Sequence, residues 1–207
     1  SLDLNKAKID VIHFTPEIKK NNFFYYGKND LEKIKNLDLD VIIRMCSGIL
    51  KGEILNIAKF GIVSYHHGDN DIYRGMPPGF WEVFYKESST GFIIQKLNEQ
   101  LDNGEILFKG FVATKSFFYF NHLNVLKLSA KYIIDVLEKI NGNYKFNKVQ
   151  KKIFYNQIFK DPNIYVLIKY IFKIYFTNLF KILKSLFRLE KWKIAFTKGN
   201  VFEKRLE

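Results

Sequence analysis

The chain has 207 residues and 24.5 kDa, enough for one domain with a core or for a domain with an appendage. Its 47% hydrophobic and 26% charged residues exclude a disordered chain, and a single cysteine, Cys46, excludes a disulfide framework or a zinc site of several thiolates. The net charge of +12 is concentrated in residues 144–207, with 15 Lys/Arg against 4 Asp/Glu; residues 1–143 hold 18 against 17, so no nucleic-acid partner is expected for the body.

In chain order, Lys8–Phe14 (KIDVIHF) reads as a short strand ended by Thr15-Pro16, and Phe23–Tyr26 as a second β-prone run. Asn29–Asn36 predicts a helix, with Asn29 as N-cap and Asp30 and Glu32 in the first turn. Asp40–Arg44 (DVIIR) is a continuous apolar strand of the kind buried on both faces of a parallel sheet. Gly48–Ala58 follows as a short helix, and Phe60–Tyr65 is another apolar strand running into His66-His67-Gly68. A loop dense in special residues, His66–Gly79, leads to a helical stretch at Phe80–Lys86. Gly91–Leu97 and Glu105–Val112 are strands around the turn signal Asp102-Asn103-Gly104. Leu123–Ile140 is an amphipathic helix stopped by Asn141-Gly142. The alternation predicts an α/β fold with a mostly parallel sheet over residues 1–143 and a basic, mainly helical extension over residues 144–207.

That extension holds a long helical pattern, Lys160–Leu189, with Asp161-Pro162 at its start. At about 100° per residue, Lys169, Lys173, Lys181, Lys184 and Arg188 fall within about 120° of arc. The rest of the circumference is Ile, Leu, Phe, Val and Tyr, and charge interrupts it too often for a transmembrane span. Two readings stand for residues 163–189: contact with an anionic membrane surface, or packing of the apolar face on the body or on a second copy. No stretch has the layout of a signal peptide, so a cytoplasmic protein is expected, at the inner face of the membrane under the first reading.

The informative segment is Ser64–Gly75 (SYHHGDNDIYRG), together with Asp102 in Leu101-Asp102-Asn103-Gly104-Glu105. A histidine at the carboxyl end of a buried strand, opening a polar loop, is where α/β folds place chemistry, and an aspartate one hairpin later can orient or charge-stabilise it. On the residues alone, His66 and His67 satisfying loop backbone groups is an equal reading. His13 and His122 stand apart from any motif, and the four histidines form no pattern of metal-ligand spacing, so no metal is expected.

These segments resemble the 10-formyltetrahydrofolate-dependent formyltransferases, which include methionyl-tRNA, glycinamide ribonucleotide and sugar N-formyltransferases. The family's signature is Asn-x-His, a loop ending Arg-Gly, and a Leu-Asp-x-Gly turn. Here SYH (64–66), RG (74–75) and LDNG (101–104) take those places without a gap, and DVIIRMCSGILKGEIL resembles the segment before the catalytic strand. The likeness covers about residues 38–112. Relative to the family, the chain is expected to be short at its amino end. Sliding the register by one places Tyr65 and His67 in the two slots and breaks both spacings.

The resemblance implies a formyltransferase-like, Rossmann-like fold and transfer of a formyl group from 10-formyltetrahydrofolate to an amine. It makes His66 the catalytic imidazole and Asp102 the carboxylate that tunes it. Ser64 stands where the family has an asparagine, the neutral donor to the oxyanion, and its hydroxyl is shorter than a carboxamide. Arg44, Met45, Ser47 and Gly48 would line the folate pocket, as would Leu101 and Gly104. The loop His66–Gly75 keeps the His, Gly, Asn, Arg and Gly of the sugar branch, which brings Asn70 and Arg74 to the substrate and makes a nucleotide-linked amino sugar of cell-surface glycan synthesis the expected acceptor. Arg74 pinning the loop through Asp69 or Asp71 is the alternative for that residue. Trp81 reads as core packing rather than as a ligand platform. The alternative for the whole chain is an inactive formyltransferase-like module used for binding or scaffolding.

Overall fold

The computed structural model describes residues 10–45, 48–99, 104–146, 158–188 and 201–202. The chain divides into two units, Ser1–Ile62 and Val63–Glu207.

In the first unit, β1 (Glu17–Lys19) and β2 (Phe23–Tyr25) pair antiparallel. Helix α1 (Lys28–Lys35) begins one residue before the expected cap: the Gly27 carbonyl accepts from Asp30 and Leu31, and no side chain caps the helix. Strand β3 (Ile42–Arg44) is not buried on both faces, since Ile43 is 40% exposed. The helix expected over Gly48–Ala58 is replaced by β4 (Ile49–Leu50), which pairs with β2 in parallel, and by a 3-10 turn at Glu53–Asn56. Gly48 and Gly52 lie at φ +89° and +83°, outside the helical region, and cut the helical path twice. The strand expected at Lys8–Phe14 does not form over its described part: Asp10–Phe14 is irregular, with Val11 and Ile12 exposed.

The second unit is built on β5 (Ile62–His66), β6 (Arg74–Gly75), α2 (Phe80–Tyr85), β7 (Ser89–Lys96), β8 (Glu105–Ala113), α3 (Phe118–Asn141), β9 (Ile158–Phe159), α4 (Ile164–Arg188) and β10 (Val201–Phe202). The strands β10, β8, β7 and β5 lie side by side, each antiparallel to the next, and β6 pairs with β9 in parallel. The sheets are therefore mixed rather than mostly parallel. The cause is local, because β7 and β8 follow each other with too few residues between them for a crossover and can pair only as a hairpin. One register irregularity interrupts that hairpin, between Ile94 and Gln95, where Ile94 faces Phe108 but Gln95 faces Ile106.

Alternation along the strands divides the sheet into two faces. One packs on α3 through Phe92, Val112 and Val125, with Phe108, Leu128 and Tyr132 against them. Phe108 and Tyr132 stack at 4.5 Å. Fully buried Asn121 joins α3 to this layer: its amide donates to the Gly79 carbonyl and to Thr90 Oγ1, and its Oδ1 accepts from the Lys115 N–H, each at 2.9 Å. Trp81 packs among Phe80, Phe84, Tyr85 and Phe159, and its indole N–H donates to the Met76 carbonyl at 2.9 Å, so core packing accounts for it. The second face of the sheet carries the candidate site.

Candidate active site

Ser64 and His66 are two residues apart on β5 and so project from one face, opposite α3. The register extends that face across the sheet: His66 lies opposite Ile93, and Ile93 opposite Lys109; in the next row Ser64 lies opposite Gln95. His67 has turned the other way. Its ring stacks on Tyr65 at 5.5 Å, and its Nε2 lies 3.0 Å from Ser129 Oγ on α3. Ser129 spends its one hydroxyl proton on the Leu126 carbonyl at 3.1 Å, so it accepts from His67, which is the neutral Nε2–H tautomer. Burial, with His66 and His122 beside it, lowers His67 to about 4. His67 is thus occupied in tying the strand end to α3. His122 is a packing residue as well, its Nδ1 donating to the Pro78 carbonyl at 3.2 Å.

The loop after β5 folds back over the His66 face. A side chain on Gly91 would strike the Asp69 backbone at 3.0 Å and its Cβ at 2.9 Å, so the missing side chain of β7 is what admits the loop. Gly68 lies against His66 Nε2, where a Cβ would sit 3.5 Å away. Asp69 Oδ1 accepts from the Asp71 N–H at 2.9 Å and closes a turn. Lys109 rises from β8 to hold both carboxylates, at 2.6 Å from Asp69 and 2.8 Å from Asp71, with all three side chains close to nine-tenths buried. Both aspartates are thus ion-paired to Lys109, and Arg74 sits in β6, paired with Ile158. Between the two aspartates, Asn70 is 4% exposed, and neither its Oδ1 nor its Nδ2 has a hydrogen-bond partner among the described residues.

Two further polar groups were not singled out by sequence reasoning. Gln95 is 6% exposed, its Oε1 has no hydrogen-bond partner among the described residues, and a Cβ on Gly104 would come within 2.9 Å of it. Glu82 on α2 is 2% exposed, and burial raises it to about 7, with Asp69 and Glu87 adding to the shift. The signal for Lys109 and Gln95 was available: each is a polar residue inside an otherwise apolar strand, ILFKGFV and GFIIQKL.

The other expected site residues are placed as follows. Ser64 is buried, and its hydroxyl lies 3.4 Å from the Tyr65 carbonyl. Arg44, Met45 and Gly48 belong to the first unit, where Arg44 Nη2 donates to the Gly48 carbonyl at 2.5 Å and Met45 is exposed. Ser47, Leu101 and Asp102 lie outside the described residues. Among the described residues no cluster of three or more His, Cys, Asp or Glu side chains is placed to hold a metal ion.

No family model matches the chain. It is 36% identical over 111 residues to a methionyl-tRNA formyltransferase of Pelagibacter ubique, a match covering 50% of this chain and 34% of that protein. Over the matched stretch the chain is similar in sequence to methionyl-tRNA formyltransferases. A second relative, the methionyl-tRNA formyltransferase of Prochlorococcus marinus strain MIT 9215, is 33% identical over 143 residues, covering 65% of this chain and 41% of that one. The same fold is found in the structure of the Clostridium thermocellum methionyl-tRNA formyltransferase, which matches with a TM-score of 0.52 at 20% identity over 71% of this chain and 68% of that one. The chain spans roughly a third to two fifths of the length of the two curated relatives it matches.

His67 and Glu82 predict a compensated pH dependence of stability in the second unit. His67 titrates near 6.5 when unfolded and near 4 when folded, so its contribution is present above 6.5 and is lost as pH falls toward 4. Glu82 titrates near 4.5 unfolded and near 7 folded, so its contribution is present below 4.5 and is lost as pH rises through 7. Each is of order 3 kcal/mol, and over the shared window the slopes oppose. Glu82→Gln removes one slope. Urea unfolding of that variant is expected to show stability rising by up to about 3 kcal/mol between acid and neutral pH, against a flatter parent. Equal slopes in parent and variant would refute the assignment.

Proposed function

We propose that the chain is the formyl-transferring part of an enzyme that moves a formyl group from 10-formyltetrahydrofolate to an amine, with a nucleotide-linked amino sugar as acceptor. The observation that carries the proposal is the shared face of Ser64 and His66 under a loop whose Asn70 carboxamide is buried with both polar atoms unpaired. A buried unpaired amide is costly unless a ligand completes it, at about 1–3 kcal/mol. Gln95 Oε1, beside Gly104, is an orphan acceptor of the same kind. Together they present acceptors and a donor suited to the N–H and carbonyl groups of a folate or of an amino substrate.

The folate supplies an activated formyl group: the amine forms a bond to the formyl carbon, the bond to the folate nitrogen breaks, and one proton passes from amine to that nitrogen. His66 is the group placed to carry the proton. The Ser64 hydroxyl, and the Asn70 amide as a second neutral donor, stabilise the negative charge on the formyl oxygen. Asp102, in the resemblance, favours the charged imidazole. The acceptor class rests on the loop His66–Gly75, with its His, Gly, Asn, Arg and Gly; methionyl-tRNA is the second reading, favoured by the names of the relatives.

The test is transfer from 10-formyltetrahydrofolate to a panel of nucleotide-linked amino sugars and to methionyl-tRNA. Ser64→Asn is expected to raise turnover or leave it unchanged, since a carboxamide reaches farther than a hydroxyl. Asn70→Ala is expected to lower kcat/KM about tenfold, the equivalent of one hydrogen bond of about 1.4 kcal/mol. Formylation of methionyl-tRNA alone would replace the sugar reading, and an Asn70→Ala variant with parental kcat/KM would remove Asn70 from the site.

A further inference from the structure

Helix α4 lies on the second unit by its less apolar side. The Phe118 N–H donates to Tyr170 Oη at 2.8 Å, the Tyr170 ring meets Phe80 at 5.2 Å, and Lys173 Nζ donates to the Phe84 carbonyl at 3.0 Å. Lys86 reaches Thr177 Oγ1 at 3.3 Å. Packing of the broad apolar face on the body, one of the two expectations for this segment, is therefore not what the structure contains: twelve large apolar residues of α4 are exposed, Tyr165, Tyr175 and Phe180 at 74%, 72% and 69%. On a wheel of about 100° per residue they occupy roughly 220° of the circumference.

We propose that this outward face of α4 lies in the interface of an anionic lipid membrane, holding the domain on the surface without crossing it. Three observations select lipid over a second copy of the chain. The helix contains four lysines and one arginine and no Asp or Glu, so an α4 from a second copy brings no carboxylate to pair with them, whereas anionic headgroups complement them. The exposed apolar arc is about twice the width of the stripe, roughly 100°, that one packed helix covers, and an acyl layer takes all of it. Lys169 lies just inside one edge of the arc and Lys184 just beyond it, where their stems can run along the apolar face with the ammonium groups at headgroup level. No helix among the described residues is long and apolar enough to cross a membrane, and 25 residues give a rod of about 37 Å to lie in the plane.

The experiment is co-sedimentation of the full chain with vesicles of phosphatidylcholine alone and of phosphatidylcholine with phosphatidylserine, at low and high salt. Binding is expected to need phosphatidylserine and to weaken with salt. Lys169→Gln with Lys184→Gln should weaken it roughly 30-fold, from about 1 kcal/mol per basic residue at an anionic surface. Phe172→Ser with Phe176→Ser should abolish it, with the parental thermal midpoint as the control that the chain still folds. No sedimentation with phosphatidylserine vesicles, or binding indifferent to both pairs of substitutions, overturns the proposal. So does a dimer in analytical ultracentrifugation that Phe172→Ser with Phe176→Ser dissociates while vesicles are ignored. None of these readouts depends on formyl transfer, so the result stands apart from the proposed reaction.

Discussion

His66→Ala is expected to lower formyl transfer by about 10²–10⁴-fold, the usual contribution of a positioned acid or base, with little change in the unfolding midpoint. The asymmetry follows from where the two neighbouring histidines point. His66 faces the loop side of the sheet, in a row with Ile93 and Lys109, whereas His67 crosses to α3 and holds Ser129. His67→Ala should therefore show the reverse pattern, a loss of stability larger than any direct loss of chemistry. The decisive readout is the pH profile of kcat/KM on the amine panel. The parent should show one limb belonging to an imidazole, and that limb should vanish in His66→Gln while persisting in a His67 variant that still folds. Turnover in His66→Ala equal to the parent would end the catalytic assignment.

Lys109→Met is expected to destabilise the second unit by about 3–5 kcal/mol. The ammonium group is the cation held between Asp69 and Asp71 at 2.6 and 2.8 Å, and all three groups are close to nine-tenths buried. Removing the cation leaves two carboxylates in a poorly solvated place with their mutual repulsion uncompensated. The loop that carries Asn70 is bound to the sheet through the same pair, so folate binding should fall along with stability. The check is a charge-balanced variant, Lys109→Met with Asp69→Asn and Asp71→Asn, which should recover most of the lost stability, because neutral groups there carry no comparable desolvation cost. Lys109→Met alone with the parental urea midpoint would show that the cluster is not buried as described.

Much of this second unit was legible in the sequence because its signals are local. The apolar run before His66 gives β5, the turn signal at Asp102-Asn103-Gly104 gives the β7–β8 pair, and Asn141-Gly142 ends α3 as expected. The failures lie where long-range partners decide. DVIIR reads as doubly buried, yet Ile43 is exposed, since composition does not say how many neighbours a strand acquires. GILKGEILNIA carries helical apolar spacing, but two glycines at positive φ give it a different path. The face of α4 that meets the body could not be read from its pattern, because the largest apolar surface predicts burial and a tyrosine, a lysine and a threonine make the contacts instead. At the site, the strand end and loop that carry Ser64, His66 and Asn70 were legible in SYHHGDN, Asp102 lies outside the described residues, and the places of Lys109 and Gln95 required the register of β8 and β7 against β5.

The irregularity between Ile94 and Gln95 sets a limit on how this hairpin can change. With the extra residue in β8, Ile106 and Lys109 come to the same face of the sheet although they are an odd number of positions apart. Leu107 is the residue without a partner, and deleting it would restore a regular ladder with Ile106 still opposite Gln95 and Lys109 still opposite Ile93. A residue lost or gained outside the bulge would instead turn the side chains that follow it to the opposite face of the sheet. Descendants of this sequence can therefore drift at many positions of the hairpin and can shed the extra residue, but a change of length elsewhere in β8 would exchange the face that packs on Phe92 and Tyr132 with the face that carries Lys109.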